Sequence, residues 1–112
     1  MATPSAAGRA DSEDIPPGQP PGSFNPVIHA PHRLRICAML DHSGEFEFSA
    51  VREIVGVSDS VLSKQLAVLM EAGYVQQRRG VRDTRQRVWL SLTNSGRQAF
   101  QAHVWALRAL LG

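Results

Sequence analysis

Apolar residues recur along this chain in two rhythms, and the change from one to the other divides it into elements. From Pro31 to Asp41 or His42 they fall at helical spacing, with Leu34, Cys37 and Ala38 on one side and Ile36 and Leu40 on the other. Pro31 suits a first helical turn, where its missing N–H costs nothing, and Ser43-Gly44 ends the element. A helix apolar on two sides is buried on two sides, and in so short a chain the second side is expected to meet a partner subunit. Phe46, Glu47 and Phe48 alternate as a strand stub would. Ser49 is then placed as the cap of a second helix, Ala50 to Val55, which Gly56 leaves in the left-handed conformation. Ser58 caps a third helix that ends at Gly73, with Asp59 set favourably against its dipole. The turn between the second and third helices is only about three residues long.

On the third helix Val61, Leu62, Leu66, Leu69 and Met70 gather on one half, while Ser60, Ser63, Lys64, Ala67 and Glu71 collect on the other. Gln65 stands at the boundary. The rhythm then shortens to two. Tyr74 and Val75 open a strand to about Arg79, Gly80 to Thr84 form a tip, and Arg85 to Leu92 return. Val88, Leu90 and Leu92 point inward on the return, and Arg87, Trp89 and Ser91 outward. Asp83 either orients Arg85 through a charge-assisted hydrogen bond or serves as a turn residue. A fourth helix follows a Thr93 cap, with Phe100, His103, Val104, Leu107, Leu110 and Leu111 in one stripe. Trp105 projects from its far side between Ala102 and Ala109, which marks a second contact: a dimer partner or, less simply, a ligand pocket.

A short helix, a tight turn, a longer helix with a small polar outer face and a basic hairpin describe an α+β, mainly α chain. The fold class is a winged helix-turn-helix with a two-stranded β-wing and a C-terminal dimerisation helix. Composition sharpens this. All 7 prolines lie within the first 31 of 112 residues, in a stretch rich in Ala, Pro, Gly and Ser. Residues 1–26 are therefore read as a disordered tail and 27–112 as the domain. The tail has no apolar h-region, and nothing downstream is long enough to span a membrane, so a cytoplasmic, nucleoid-associated protein is expected.

The formal net charge of +2 hides an asymmetry. From Gln76 onward the only acid is Asp83, against Arg78, Arg79, Arg82, Arg85, Arg87, Arg97 and Arg108. Before it, acids outnumber bases. Such a lobe suits a polyanion. Small residues on the third helix allow close approach to a groove floor, Ser and Lys donate to phosphates or base edges, and the Gln65 amide suits adenine. Double-stranded DNA is the expected partner.

Other chemistry finds less support. The single Cys37 sits in an apolar run and is read as a buried structural thiol, the alternative being a redox sensor tuned by Arg33 and Arg35. His29, His32 and His103 suit zinc by type, but no cysteine or acid is poised with them, so no metal and no cofactor is assigned. No Ser, His and acid set or glycine-rich phosphate loop is tied by a motif, so the chain is not read as an enzyme.

Three segments carry a family resemblance: H-A-P-H-R-L-R-I from His29, S-D-S-V-L-S-K-Q-L-A-V-L-M-E-A-G-Y-V from Ser58, and W-L-S-L-T-N-S-G-R-Q-A-F from Trp89. From about Asn25 to its end the chain resembles the small bacterial winged-helix regulators related to the MarR and ArsR families. That resemblance implies a dimeric, sequence-specific, DNA-binding transcription regulator acting on a pseudo-palindromic operator. It puts the recognition helix at about 59–72 in the major groove, with its role on Ser58, Ser60, Ser63, Lys64 and Gln65. It puts the wing at about 75–92 on backbone or minor groove, with its role on Arg82 and Arg85 among the hairpin arginines. Where that wing usually carries Asp-Arg-Arg, this chain has Asp83-Thr84-Arg85, and the thiolate-rich helix of metal-sensing ArsR members is missing. The expected homodimer interface is Ile36, Leu40, Ala102, Trp105 and Ala109; no motif names a small-molecule effector. The competing reading is a winged-helix interaction module whose wing grips an acidic protein.

Overall fold

A computed structural model describes residues 24–112. Its elements are α1 (Pro31–Ser43), β1 (Glu45–Glu47), α2 (Phe48–Val55), α3 (Asp59–Glu71), β2 (Val75–Arg82), β3 (Arg85–Leu92) and α4 (Asn94–Leu111). The strands form one antiparallel sheet in the order β1-β3-β2. This is a winged helix, mainly helical, in which the wing has a third strand: the stub pairs Glu45 with Ser91, Phe46 with Leu90 and Glu47 with Trp89. Most of the tail expected over residues 1–26 lies outside the described residues. Its inner end does not, and Phe24 and Asn25 pack on the domain, as described below.

The central element is α1, which packs against α2, α3, α4 and β3. Ile36, Cys37 and Leu40 are completely buried in the core it shares with Val51, Leu62, Leu69 and Leu90. This corrects the expected interface. Ile36 and Leu40 make the second side of α1 apolar because the chain's own helices cover it, so neither is available to a partner. Ala38, on the opposite side, is exposed. The Cys37 thiol is buried as expected, and burial, with Asp41 nearby, pushes its pKa up to about 12.

Two of the three expected caps form. Ser58 Oγ accepts from Val61 N at 3.2 Å, and Thr93 Oγ1 accepts from Gly96 N at 2.9 Å. Ser49 is not a cap. β1 runs straight into α2, so Glu47 takes the cap position and makes no side-chain bond to the helix. Its carboxylate turns instead to the sheet arginines. Gly56 closes α2 in the left-handed region at φ 78°.

The two ends of the wing meet at α4. Thr93 N donates to Tyr74 O at 3.0 Å and Thr93 Oγ1 to Gly73 O at 2.6 Å. Arg97 Nη1 reaches Asp41 Oδ1 at 2.7 Å and ties α4 to α1. Phe100, His103 and Ala106 are buried, but the expected stripe fails at its end: Leu110 is 64% and Leu111 85% exposed. At 18 residues, α4 is about 27 Å long and outruns the body that could cover it.

The segment before α1 is pinned by Asn25. Its Oδ1 accepts from Val27 N and Ile28 N at 3.0 and 3.2 Å, and its Nδ2 donates to Tyr74 Oη at 3.0 Å. Asn25 N also donates to His103 Nδ1 at 3.2 Å. A neutral imidazole has one donor and one acceptor, so His103 Nε2 carries the proton and donates to His29 Nδ1 at 3.1 Å. Phe24 stacks on His29 with centroids 4.8 Å apart. Burial, and then His29, hold the pKa of His103 below its ordinary 6.5. As pH falls, the unfolded chain takes up this proton before the folded chain does. The contribution of neutral His103 is therefore full above about 6.5 and is lost as pH drops from there toward the folded value. The wild type should lose more melting temperature than His103→Gln between about pH 7 and 5. Parallel curves for the two proteins would refute this role.

Candidate nucleic-acid interface

The outer face of α3 is open. Leu62, Leu66 and Leu69 face the core, while Ser58, Ser60, Ser63, Lys64, Ala67 and Glu71 are exposed. Arg52, the only base on α2, pairs with Asp59 at 2.8 Å and fixes the first turn of α3 against the preceding helix. Gln65 is half-buried, at the boundary where the sequence puts it, but it is not wholly free. Its Oε1 accepts from Arg33 Nη1 at 2.8 Å, and Arg33 also donates to Val27 O. Gln65 Oε1 thus already has one partner, and an adenine edge would have to share that oxygen with Arg33.

The wing differs from expectation in its tip. β2 and β3 pair all the way to Arg82 opposite Arg85, leaving a two-residue turn in which Asp83 and Thr84 both have positive φ, 53° and 63°. That is the backbone of a type I′ hairpin, whose twist matches the strands. Asp83 is thus a turn residue, the second of the two roles open to it, and Gly80 lies within β2. A Cβ on Gly80 would sit 3.0 Å from Arg78 Nη1 and 3.6 Å from Trp89 Nε1, so this glycine makes room for side chains crossing the sheet.

Cross-strand partners share a face. Gln76, Arg78 and Arg82 of β2 therefore stand with Arg85, Arg87, Trp89 and Ser91 of β3 and with Glu45 and Glu47 of β1. Arg79 lies alone on the other face. The outer face carries a network. Arg78 grips Glu45 with two bonds, Nε to Oε2 at 3.1 Å and Nη2 to Oε1 at 3.0 Å. Glu47 takes Arg87 at 2.9 Å and Arg82 at 3.6 Å. The Arg78 and Arg82 guanidinium carbons lie 5.5 and 6.0 Å from the centroid of the Trp89 ring. The bond with Arg78 holds the Glu45 carboxyl below its usual range.

The five hairpin arginines are therefore not equivalent. Arg87 is the least exposed of the paired ones, with a buried Nε that has no partner among the described residues, and it works as scaffold. Arg79 and Arg85 make no ion pair among the described residues, and Arg82 faces Arg85 directly across the last rung. Like charges directly opposite repel, so an anion bridging them would relieve the tip. The acids that restrain Arg78, Arg82 and Arg87 escape a reading of the hairpin alone. The signal for them is the Glu45-Phe46-Glu47 alternation, in which both glutamates share the face of Trp89.

The histidines converge in part. His29 meets His103, whereas His32 is half-buried with an Nδ1 that has no partner among the described residues. Among the described residues no three His, Cys, Asp or Glu side chains gather as a metal site. No helix among them is long and apolar enough to cross a membrane.

Comparison with known proteins agrees with this fold. Residues 32–111 match the model of the winged helix DNA-binding domain. An uncharacterized protein of Methanocaldococcus jannaschii is 30% identical over 87 residues, 78% of this chain and 90% of that one. The transcriptional regulator homologue of Pyrococcus horikoshii superposes with a TM-score of 0.72 at 22% identity, covering 76% of this chain and 84% of that one. The transcriptional repressor BigR of Xylella fastidiosa does so with a TM-score of 0.60 at 29% identity, covering 77% and 80%. A zinc-responsive MarR family member of Lactococcus lactis also shares the fold, with a TM-score of 0.57 at 20% identity, covering 73% of this chain and 56% of that one.

Proposed function

The chain belongs to the winged helix DNA-binding domain family, and from that premise we propose that it is a sequence-specific transcriptional regulator. It acts as a homodimer on a pseudo-palindromic operator, with α3 in the major groove and the wing on the backbone or minor groove. The observation that carries this reading is the juxtaposition of two open surfaces. One is the face of Ser60, Ser63 and Lys64 on α3; the other is a wing whose last rung sets Arg82 directly opposite Arg85. Small hydroxyls and one lysine suit base edges and phosphates, and paired arginines at a hairpin tip suit a phosphodiester backbone. The resemblance to a named transcriptional repressor supports control of transcription as the setting.

Within this reading the roles divide. Ser58, Ser60, Ser63 and Lys64, with the amide of Gln65, read sequence. Arg79, Arg82 and Arg85 supply affinity, Arg78 is restrained, and Arg87 braces Glu47. The operator is first selected from a pool of random duplexes. Lys64→Ala should then weaken operator binding by about 1–3 kcal/mol while changing random-duplex binding far less. Arg82→Ala with Arg85→Ala should weaken both duplexes alike and flatten the salt dependence. A wing pair that alters only sequence preference, or an α3 variant that leaves operator binding intact, would reverse the assignment.

A further inference from the structure

We propose that Glu45 and Glu47 stand in for DNA phosphate in the free protein, holding Arg78 and Arg82 over Trp89 until a phosphate displaces them. The proposal rests on the DNA-binding reading above and adds a restraint that sets how tightly the wing grips.

A guanidinium fork presents the same pair of donors to a carboxylate as to a phosphate. Arg78 already spends its Nε–Nη2 edge on Glu45, so a phosphate takes that edge only by releasing the acid. Arg82 sits at a looser 3.6 Å from Glu47. Both arginine side chains are more than half exposed, at 57% and 60%, so an incoming backbone reaches them without opening the core.

The acids are placed so that the exchange is cheap. When Arg82 leaves, Glu47 keeps Arg87 at 2.9 Å, and its carboxylate is never stranded. When Arg78 leaves, Glu45 is 41% exposed and returns to water. Trp89 offers its ring face to both guanidinium groups throughout, so each can stay stacked while it changes anion. The restraint acts on backbone contacts only. It therefore lowers affinity equally for operator and random duplex, leaving discrimination to α3.

Glu45→Gln isolates the effect, because Glu45 touches Arg78 alone among the wing arginines and the amide keeps an acceptor for it. A fluorescently labelled mixed-sequence duplex is titrated by anisotropy from about 50 to 200 mM salt. Glu45→Gln should bind about two- to fivefold tighter than wild type, the range of an exposed ion pair. Its log–log salt slope should change by less than one, because Arg78 meets the same phosphate in both proteins. In an Arg78→Ala background the same substitution should give no gain. Unchanged or weaker binding by Glu45→Gln overturns the proposal, and so does a gain that persists without Arg78, which would mean a general charge effect. Wild-type protein that shows no salt-dependent duplex binding sinks the DNA reading and the proposal with it. Wild-type binding beside an unresponsive Glu45→Gln sinks the proposal alone.

Discussion

Gly96→Ala should destabilise the domain by about 3 kcal/mol or more, although it adds a single methyl group at the start of a helix where alanine is otherwise favourable. A Cβ at Gly96 would stand 2.0 Å from the carbonyl oxygen of Tyr74, 2.7 Å from its carbonyl carbon and 2.9 Å from its Cα. All three are backbone atoms, so no rotamer change relieves the clash. α4 would have to lift away from the end of β2. That movement pulls on the Thr93 N to Tyr74 O bond at 3.0 Å and the Thr93 Oγ1 to Gly73 O bond at 2.6 Å, which lie within the same turn. Further along α4, Phe100 and His103 would be drawn from the core. A domain of this size melts about 4–8 °C lower per kcal/mol lost, so the midpoint should fall by about 12–24 °C in a circular-dichroism melt. A midpoint within a few degrees of wild type would show that α4 docks less closely than described. The contact also ties together two of the segments that carry the resemblance: Gly73 and Tyr74 supply the backbone surface against which Thr93 and Gly96 close.

What the sequence shows and what it hides divides by distance along the chain. The caps at Ser58 and Thr93 are legible because each oxygen serves an N–H three residues on. The α3 faces and the β3 alternation are legible for the same reason, since a period of 3.6 or 2 is a local property. Periodicity reports that a side is buried, not what buries it. Ile36 and Leu40 carry the same pattern whether a partner or the chain's own helices cover them, and here it is the chain. Gly80 reads as a turn residue because glycine usually is one, yet its missing side chain serves Arg78 and Trp89, and the turn falls to Asp83 and Thr84. Glu45 and Arg78 are 33 residues apart. Their pairing exists only because β1 joins the sheet beside β3, a register that no local rhythm encodes. The open faces of the proposed DNA site were therefore readable, while the restraints on it, Arg33 on Gln65 and the two glutamates on the wing, depend on tertiary placement.

Trp105→Glu should convert the proposed homodimer to a monomer and cost it most of its operator affinity, with no residue of the proposed DNA-reading face altered. With Ile36 and Leu40 inside the core, the proposed interface narrows to α4. Trp105 is 62% exposed there, on the side of exposed Ala109 and half-buried Ala102, and Leu110 and Leu111 lie uncovered further along the helix. Large apolar side chains left in water at one end of a protruding helix are the usual mark of a contact surface. A second copy is the simplest occupant, since a two-fold pair of α3 helices matches half-sites about one helical turn apart. Glutamate at position 105 would place a charge in that contact at the cost of several kcal/mol. In the isolated chain the site faces solvent, so the fold itself should survive. Light scattering at micromolar concentration should give wild type a mass twice the chain's 12.2 kDa and the variant a single chain. A lone protomer keeps one half-site and forfeits the linked second contact, so operator affinity should fall by about 10²–10⁴, while its melting curve keeps a cooperative transition. A wild type that scatters as one chain at that concentration removes the dimer, and the palindrome with it. A variant that stays dimeric moves the interface away from Trp105.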